Sequence, residues 1–356
     1  MDYLRCLCTA IIVCVHLTGL NPNQLELEAG SAESICFSAI RIILSVGVPP
    51  FFMLSGAFMI KKDISSLSSF YCRSYGRLLP WSIFFFFVGS LFGILNDAYN
   101  GCYSIWDTDL TAFYHNWFAR GGTGILWFVP ALMGLYLITP LLVWLRKRCT
   151  LSIFCGITLL VFAATKYLLI PGLNADYASY SINWFKGMFF IGHYMAGYCI
   201  YSICRLEGLR FLNATTLGLA LAAGIVASTC WLSSFYNPPY TDVPSLNAQE
   251  AIPVILSGLL FALFCKLQLP PSKLIATISS ISIIIYLSHN YLPLPIIRFG
   301  MKWTGIWETL FRDSFIMAII CYALGVSFSI VCALILHKSA QILKTIFQKN
   351  ISQQHT

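Results

Sequence analysis

The chain has 356 residues, of which 58% are hydrophobic and only 10% are charged, against about 25% charged in an ordinary soluble domain. Its 22 basic and 14 acidic side chains are too few to cover the surface of a soluble protein of this length. That excludes a cytosolic enzyme, a secreted module, a disordered regulator and, despite the net charge of +8, a nucleic-acid binder; an all-α, polytopic integral membrane protein remains.

Apolar stretches long enough to cross a bilayer, about 17–25 residues each, recur along the whole chain. They predict ten transmembrane helices, at 4–20, 35–60, 79–95, 125–145, 151–170, 185–203, 214–234, 251–266, 276–296 and 314–336. Trp81, Trp127, Trp144 and Trp184 fall near span ends, where interfacial anchors sit.

The first span opens M-D-Y-L-R and carries Arg5 and His16, eleven residues apart. Eleven residues are close to three helical turns, so both side chains share one face, about 16 Å apart along the axis. The pair either lines a polar path from the cytoplasmic mouth past the midplane, or Arg5 snorkels while His16 bonds a neighbouring helix. The Arg, the His and the lack of an Ala-x-Ala site mark a retained span and not a signal peptide.

In the second span V48-P-P-F-F-M-L-S-G56 carries two prolines and a Ser-Gly. These break the helix beside a cavity or other helices, or merely kink it; Ser55 is the polar side chain of this stretch. At the third span R73-S-Y-G-R77-L-L-P80 places Arg73 and Arg77 at i and i+4, on one face. Two such guanidiniums suit a polyphosphate, or serve only as basic topology residues. The outer segment 96–122, with Asp97, Tyr103, Trp106, Asp107, Asp109 and Trp117, is either a sugar-engaging loop or a solvated one.

Basic residues fix the orientation. With the N-terminus inside, 15 of the 22 fall on the cytoplasmic side, and 11 of the 14 acids fall outside. Both termini are therefore predicted cytoplasmic, with a transmembrane domain over 1–337 and a short basic tail over 338–356. Most of the 14 cysteines lie in spans or on the cytoplasmic side, with no disulfide framework and no C-x-x-C spacing, so no metal is expected. No internal repeat is visible, which weighs against a transporter built of paired halves.

The chain resembles the membrane acyltransferase-3 family. The residues that carry the resemblance are D2-Y-L-R5 with His16 eleven residues on, V48-P-P-F-F-M-L-S-G56 and R77-L-L-P80. Further matches are L126-W-F-V-P-A-L-M-G-L-Y-L-I-T-P140, F189-F-I-G-H-Y-M-A-G-Y198 and Y286-L-S-H289. The chain departs from the family's R-x-x-R spacing at Arg73 and Arg77, has Ile125 where a polar residue is common, and has His193, read as structural, where Tyr or Phe is common. His289 matches a frequent family His and is either ligand-contacting or structural.

The resemblance implies an O-acyltransferase of the bacterial cytoplasmic (inner) membrane. It would move an acyl group, usually acetyl, from cytoplasmic acetyl-CoA or another acyl-CoA to a sugar hydroxyl of a surface glycan such as O-antigen, common antigen or exopolysaccharide. Arg5, Arg73 and Arg77 would hold the acyl-CoA phosphates, and no bound cofactor is needed. His16 would act as general base or as transient acyl carrier. Ser55, Trp127, His289, Asp107 and Asp109 are the pore or acceptor candidates. The partners expected are acyl-CoA, the glycan acceptor and membrane lipid, with no nucleic acid. The rivals are a polysaccharide or lipid-linked sugar transporter without acyl chemistry, and a non-catalytic component of a glycan assembly complex.

Overall fold

The computed structural model describes residues 1–18, 27–99, 128–165, 190–207, 211–237, 250–289 and 315–354, with a few isolated residues between 208 and 250. Among the described residues every regular element is a helix. In chain order these are α1 (Asp2–Thr18), α2 (Ala32–Ser45), α3 (Pro49–Met59), α4 (Leu67–Tyr99), α5 (Phe128–Arg148), α6 (Leu151–Ala164), α7 (Ile191–Ile203), α8 (Ala214–Ser233), α9 (Ala251–Lys266), α10 (Lys273–Ser280), α11 (Ser282–Ser288) and α12 (Phe315–Gln354). Among the described residues, four segments qualify by length and apolarity to cross a membrane: Ala32–Met59, Phe128–Arg148, Ala214–Ser233 and Tyr322–Thr345. Large apolar side chains such as Leu137, Leu141, Leu159, Leu160, Leu219 and Val226 stand on the outer surface of the bundle, where water would not tolerate so many.

Two predicted spans are discontinuous. Over 35–60, α2 ends at Ser45, and Pro49 and Pro50 open α3, where the missing proline N–H groups would have had no intrahelical partner. The prolines thus start a new helix instead of kinking one. The Ser55–Gly56 pair, expected to share in the break, does not: α3 runs through both to Met59. Over 276–296, α10 stops at Ser280 and α11 restarts after Ile281. The span expected at 79–95 lies inside the much longer α4, and the boundary expected at 337/338 falls inside α12.

Among the described residues the most extensive helix contact is α3 against α7, and glycines make that approach possible. A Cβ on Gly56 would collide with the backbone carbonyl of Tyr194, and a Cβ on Gly197 with the carbonyl of Met53. Backbone thus meets backbone from both sides, as small residues allow in membrane bundles. Around this seam, α6 and α9 pack on α7, α8 packs on α2 and α9, and α1 packs on α2, α3, α10, α11 and α12. Two tyrosines one turn apart stitch α4 to α5: Tyr71 and Tyr75 donate to the carbonyls of Leu137 and Met133, each at 2.9 Å. All the cysteines among the described residues are free thiols, and no cluster of metal-ligating side chains occurs among those residues.

Candidate functional site

The site is built on α1 and the α10–α11 pair beside it. At the N-terminal end of α1 the Arg5 guanidinium donates from Nη1 to Ser279 Oγ (2.7 Å) and to Asp2 Oδ1 (3.3 Å). Ser279 in turn donates to the same Asp2 oxygen at 2.7 Å, closing a three-membered ring of contacts. Further bonds sew this end down: Tyr3 to the Pro270 carbonyl at 2.9 Å and the Cys6 thiol to the Ile275 carbonyl at 3.4 Å. Among the described residues the guanidinium uses only Nη1 in this way. Arg5 is therefore oriented, with the rest of its planar fork available to a phosphate-like ligand.

Towards the other end of α1, His16 meets His289, the residue that caps α11. The contact is His16 Nδ1 to His289 Nε2 at 2.6 Å, and the ring planes differ by 4°. The centroid separation of 4.9 Å equals that N···N distance plus two ring radii, so the rings lie edge to edge in one plane and are not stacked face to face. His289 is fully buried, and its Nδ1 lies 2.6 Å from the Tyr286 carbonyl and 3.2 Å from that of Ile285. Tyr286 continues an aromatic wall, 5.1 Å from Phe128, which is 4.8 Å from Phe52; Phe52 stacks on Phe190 at 4.3 Å.

Arg5 and His16 thus engage one neighbouring segment, at Ser279 and His289 respectively. Both lie on one face of α1, as their eleven-residue spacing requires, and the two segments run parallel. On α5 the buried Tyr136 hydroxyl is hydrogen-bonded with Ser55 and lies within electrostatic reach of Arg5 and Arg77. Residues of three separate motifs thus act on one buried hydroxyl, Ser55 by a hydrogen bond and Arg5 and Arg77 through their charge. Arg73 is held elsewhere: its Nη2 donates to Ser69 Oγ at 2.7 Å and its Nε to the Ser69 carbonyl at 3.2 Å, one turn back on its own helix. His193 is fully buried between Phe162 and Phe190, at 4.9 and 5.5 Å. Trp127, Asp107 and Asp109 lie outside the described residues, as does the rest of 100–127.

The sequence reading assigned no role to Asp2, Ser279 or Tyr136. Asp2 stands at i and i+3 to Arg5, a spacing that could have marked it. Nothing local marks Ser279 or Tyr136, whose partners lie far away in the chain.

A bundle of apolar-surfaced helices with a buried polar line of this kind is an integral membrane protein. A family model described as an acyltransferase domain matches residues 1–338, and the chain belongs to that family, acyltransferase-3; it is a membrane acyltransferase. No curated protein and no solved structure matches the chain.

Proposed function

We propose that this acyltransferase moves an acetyl or other acyl group from cytoplasmic acyl-CoA to a sugar hydroxyl of a surface glycan at the outer face of the bacterial cytoplasmic membrane. The single observation that supports this most is the layout of α1, with an oriented guanidinium at one end and a paired imidazole eleven residues on. Ten crossings with both termini cytoplasmic, as the distribution of basic residues suggests, would put Arg5 at the cytoplasmic mouth and His16 nearer the outside.

In this reading Arg5 and Arg77 grip the CoA phosphates, with Arg73 available if its bonds to Ser69 are exchanged for phosphate. The thioester then extends along α1 towards His16. The imidazole takes the proton of the acceptor hydroxyl while that oxygen attacks the thioester carbonyl carbon. The C–S bond breaks, the new ester C–O bond is complete, and the proton passes from the imidazole to the CoA sulfur. Transient acylation of the imidazole would use the same ring and the same donor.

The test is transfer across a sealed membrane. Vesicles of bacterial lipid carrying the protein, loaded with labelled acetyl-CoA and offered a surface glycan outside, should label the glycan and release free CoA inside. Movement of glycan across the membrane without acyl-CoA, and no label on the sugar, would overturn the proposal.

A further inference from the structure

The hydrogen bonds around the imidazole pair have a direction. A carbonyl oxygen only accepts, so the Nδ1 of His289, bonded to the carbonyls of Tyr286 and Ile285, must carry its ring proton. His289 is fully buried, where an added charge is costly, so the resting ring is neutral and its Nε2 holds a lone pair. That lone pair faces His16 Nδ1 at 2.6 Å, and two lone pairs do not approach so closely. His16 Nδ1 is therefore the donor, and the basic atom of His16 is Nε2. The centroid separation, equal to the N···N distance plus two ring radii, is the alignment this bond needs, since the N–H and the lone pair each point radially outward in the plane of their ring.

The anchor is built into the backbone. His289 is the C-cap of α11: its backbone N–H donates to the Ile285 carbonyl, and its side chain folds back onto the carbonyls of Tyr286 and Ile285 in the last turn. Contacts at both ends then set the register of this segment against α1: Ser279 on Arg5 and Asp2 with Ile275 on Cys6 at one end, and His289 on His16 at the other.

We propose that His289 is a positioning residue for acyl transfer, which holds His16 as the Nδ1–H tautomer and so makes Nε2 the atom that takes the acceptor proton. The inference rests on the reading of His16 as the base. When Nε2 gains the hydroxyl proton, His16 becomes an imidazolium whose Nδ1–H bond to His289 turns charge-assisted. The partially negative carbonyl end of α11 lies just beyond. The charge is discharged when the proton leaves Nε2 for the CoA sulfur as the C–S bond breaks. His289 itself stays off the substrate.

Two substitutions separate this role from mere packing. His289→Leu fills the space without an acceptor, whereas His289→Gln can offer a side-chain carbonyl near the place of Nε2. With acyl-CoA KM unchanged within about twofold, His289→Leu should lower kcat roughly 100-fold, and His289→Gln should recover most of that loss. Wild-type turnover in His289→Leu, or an equal loss in both variants, overturns the positioning role. Should either variant fail to fold, the wild-type protein still decides the matter. Nitrogen-15 NMR of histidine-labelled protein in detergent should show His16 protonated at Nδ1 and bare at Nε2; the opposite tautomer overturns the proposal. The underlying reading fails separately, if His16→Gln retains full transfer whatever His289 does.

Discussion

Replacing Gly56 by Ala should damage the protein far beyond the addition of one methyl group. The new Cβ would stand 2.6 Å from the carbonyl carbon of Tyr194 and nearer still to its oxygen, where ordinary contact begins at 3.4 Å. The obstacle is backbone, so no side-chain rotamer relieves it, and α3 and α7 must part by roughly 1 Å or more. Overpacking of this kind costs about 1–3 kcal/mol in a close-packed core, and a backbone clash belongs at the top of that range. Gly156→Ala on α6 is the control, because its Cβ meets nothing within 4 Å. There the smaller loss of backbone entropy should stabilise the helix by about 0.5–1 kcal/mol. Thermal unfolding of the two variants in detergent, followed by cysteine labelling, should move the midpoint in opposite directions. An unchanged or raised midpoint for Gly56→Ala would refute the reasoning, since α3 and α7 would then not be in backbone contact.

Arg77→Ala should raise the KM for acyl-CoA roughly 10–100-fold, as the loss of charge-assisted bonds to phosphate would, while acceptor KM changes little in steady-state kinetics. Ser279→Ala removes the oxygen that steadies the Arg5 guanidinium and should raise the same KM several-fold, by less than Arg5→Ala does. Asp63 accepts from Lys147 (2.9 Å) and Arg146 (3.0 Å), and these partners, Lys147 foremost, hold its carboxyl below the usual carboxylate range. A lowered folded-state pKa gives stability that is present above the unfolded value, about 3.9, and lost as pH falls through the folded one. Asp63→Asn should therefore flatten the acid limb of a midpoint-against-pH curve while barely moving the neutral-pH midpoint, because the carboxylate is exposed.

Features governed by local periodicity were legible in the sequence. Eleven residues make three turns, and Arg5 and His16 do share a face, each bonded to the α10–α11 segment. The prolines at 49 and 50 marked a break or a kink in the sequence, and the structure makes them the start of a new helix, where proline's missing N–H has no partner to lose. Features governed by distant partners were not legible. Gly56 reads as a helix breaker until the Tyr194 backbone is placed against it. The stop at Ile281 carries no proline or glycine, so 276–296 reads as one span. Arg73 and Arg77 fit a common face by spacing, yet Ser69, one turn earlier, captures the Arg73 guanidinium. His289 drew notice as a motif residue, but its pairing with His16 spans 273 positions of sequence.

The central claim is that the imidazole of His16 performs proton transfer in an acyl-transfer reaction, and one comparison tests it most directly. Wild-type protein and His16→Ala, inserted at equal amounts and with matching acyl-CoA affinity, would be assayed for acyl ester formed on the surface glycan by mass analysis. The account predicts that the substitution abolishes ester formation, a loss of about 10²–10⁴-fold or more for a general base. Normal acyl content in glycan from the His16→Ala protein would contradict it.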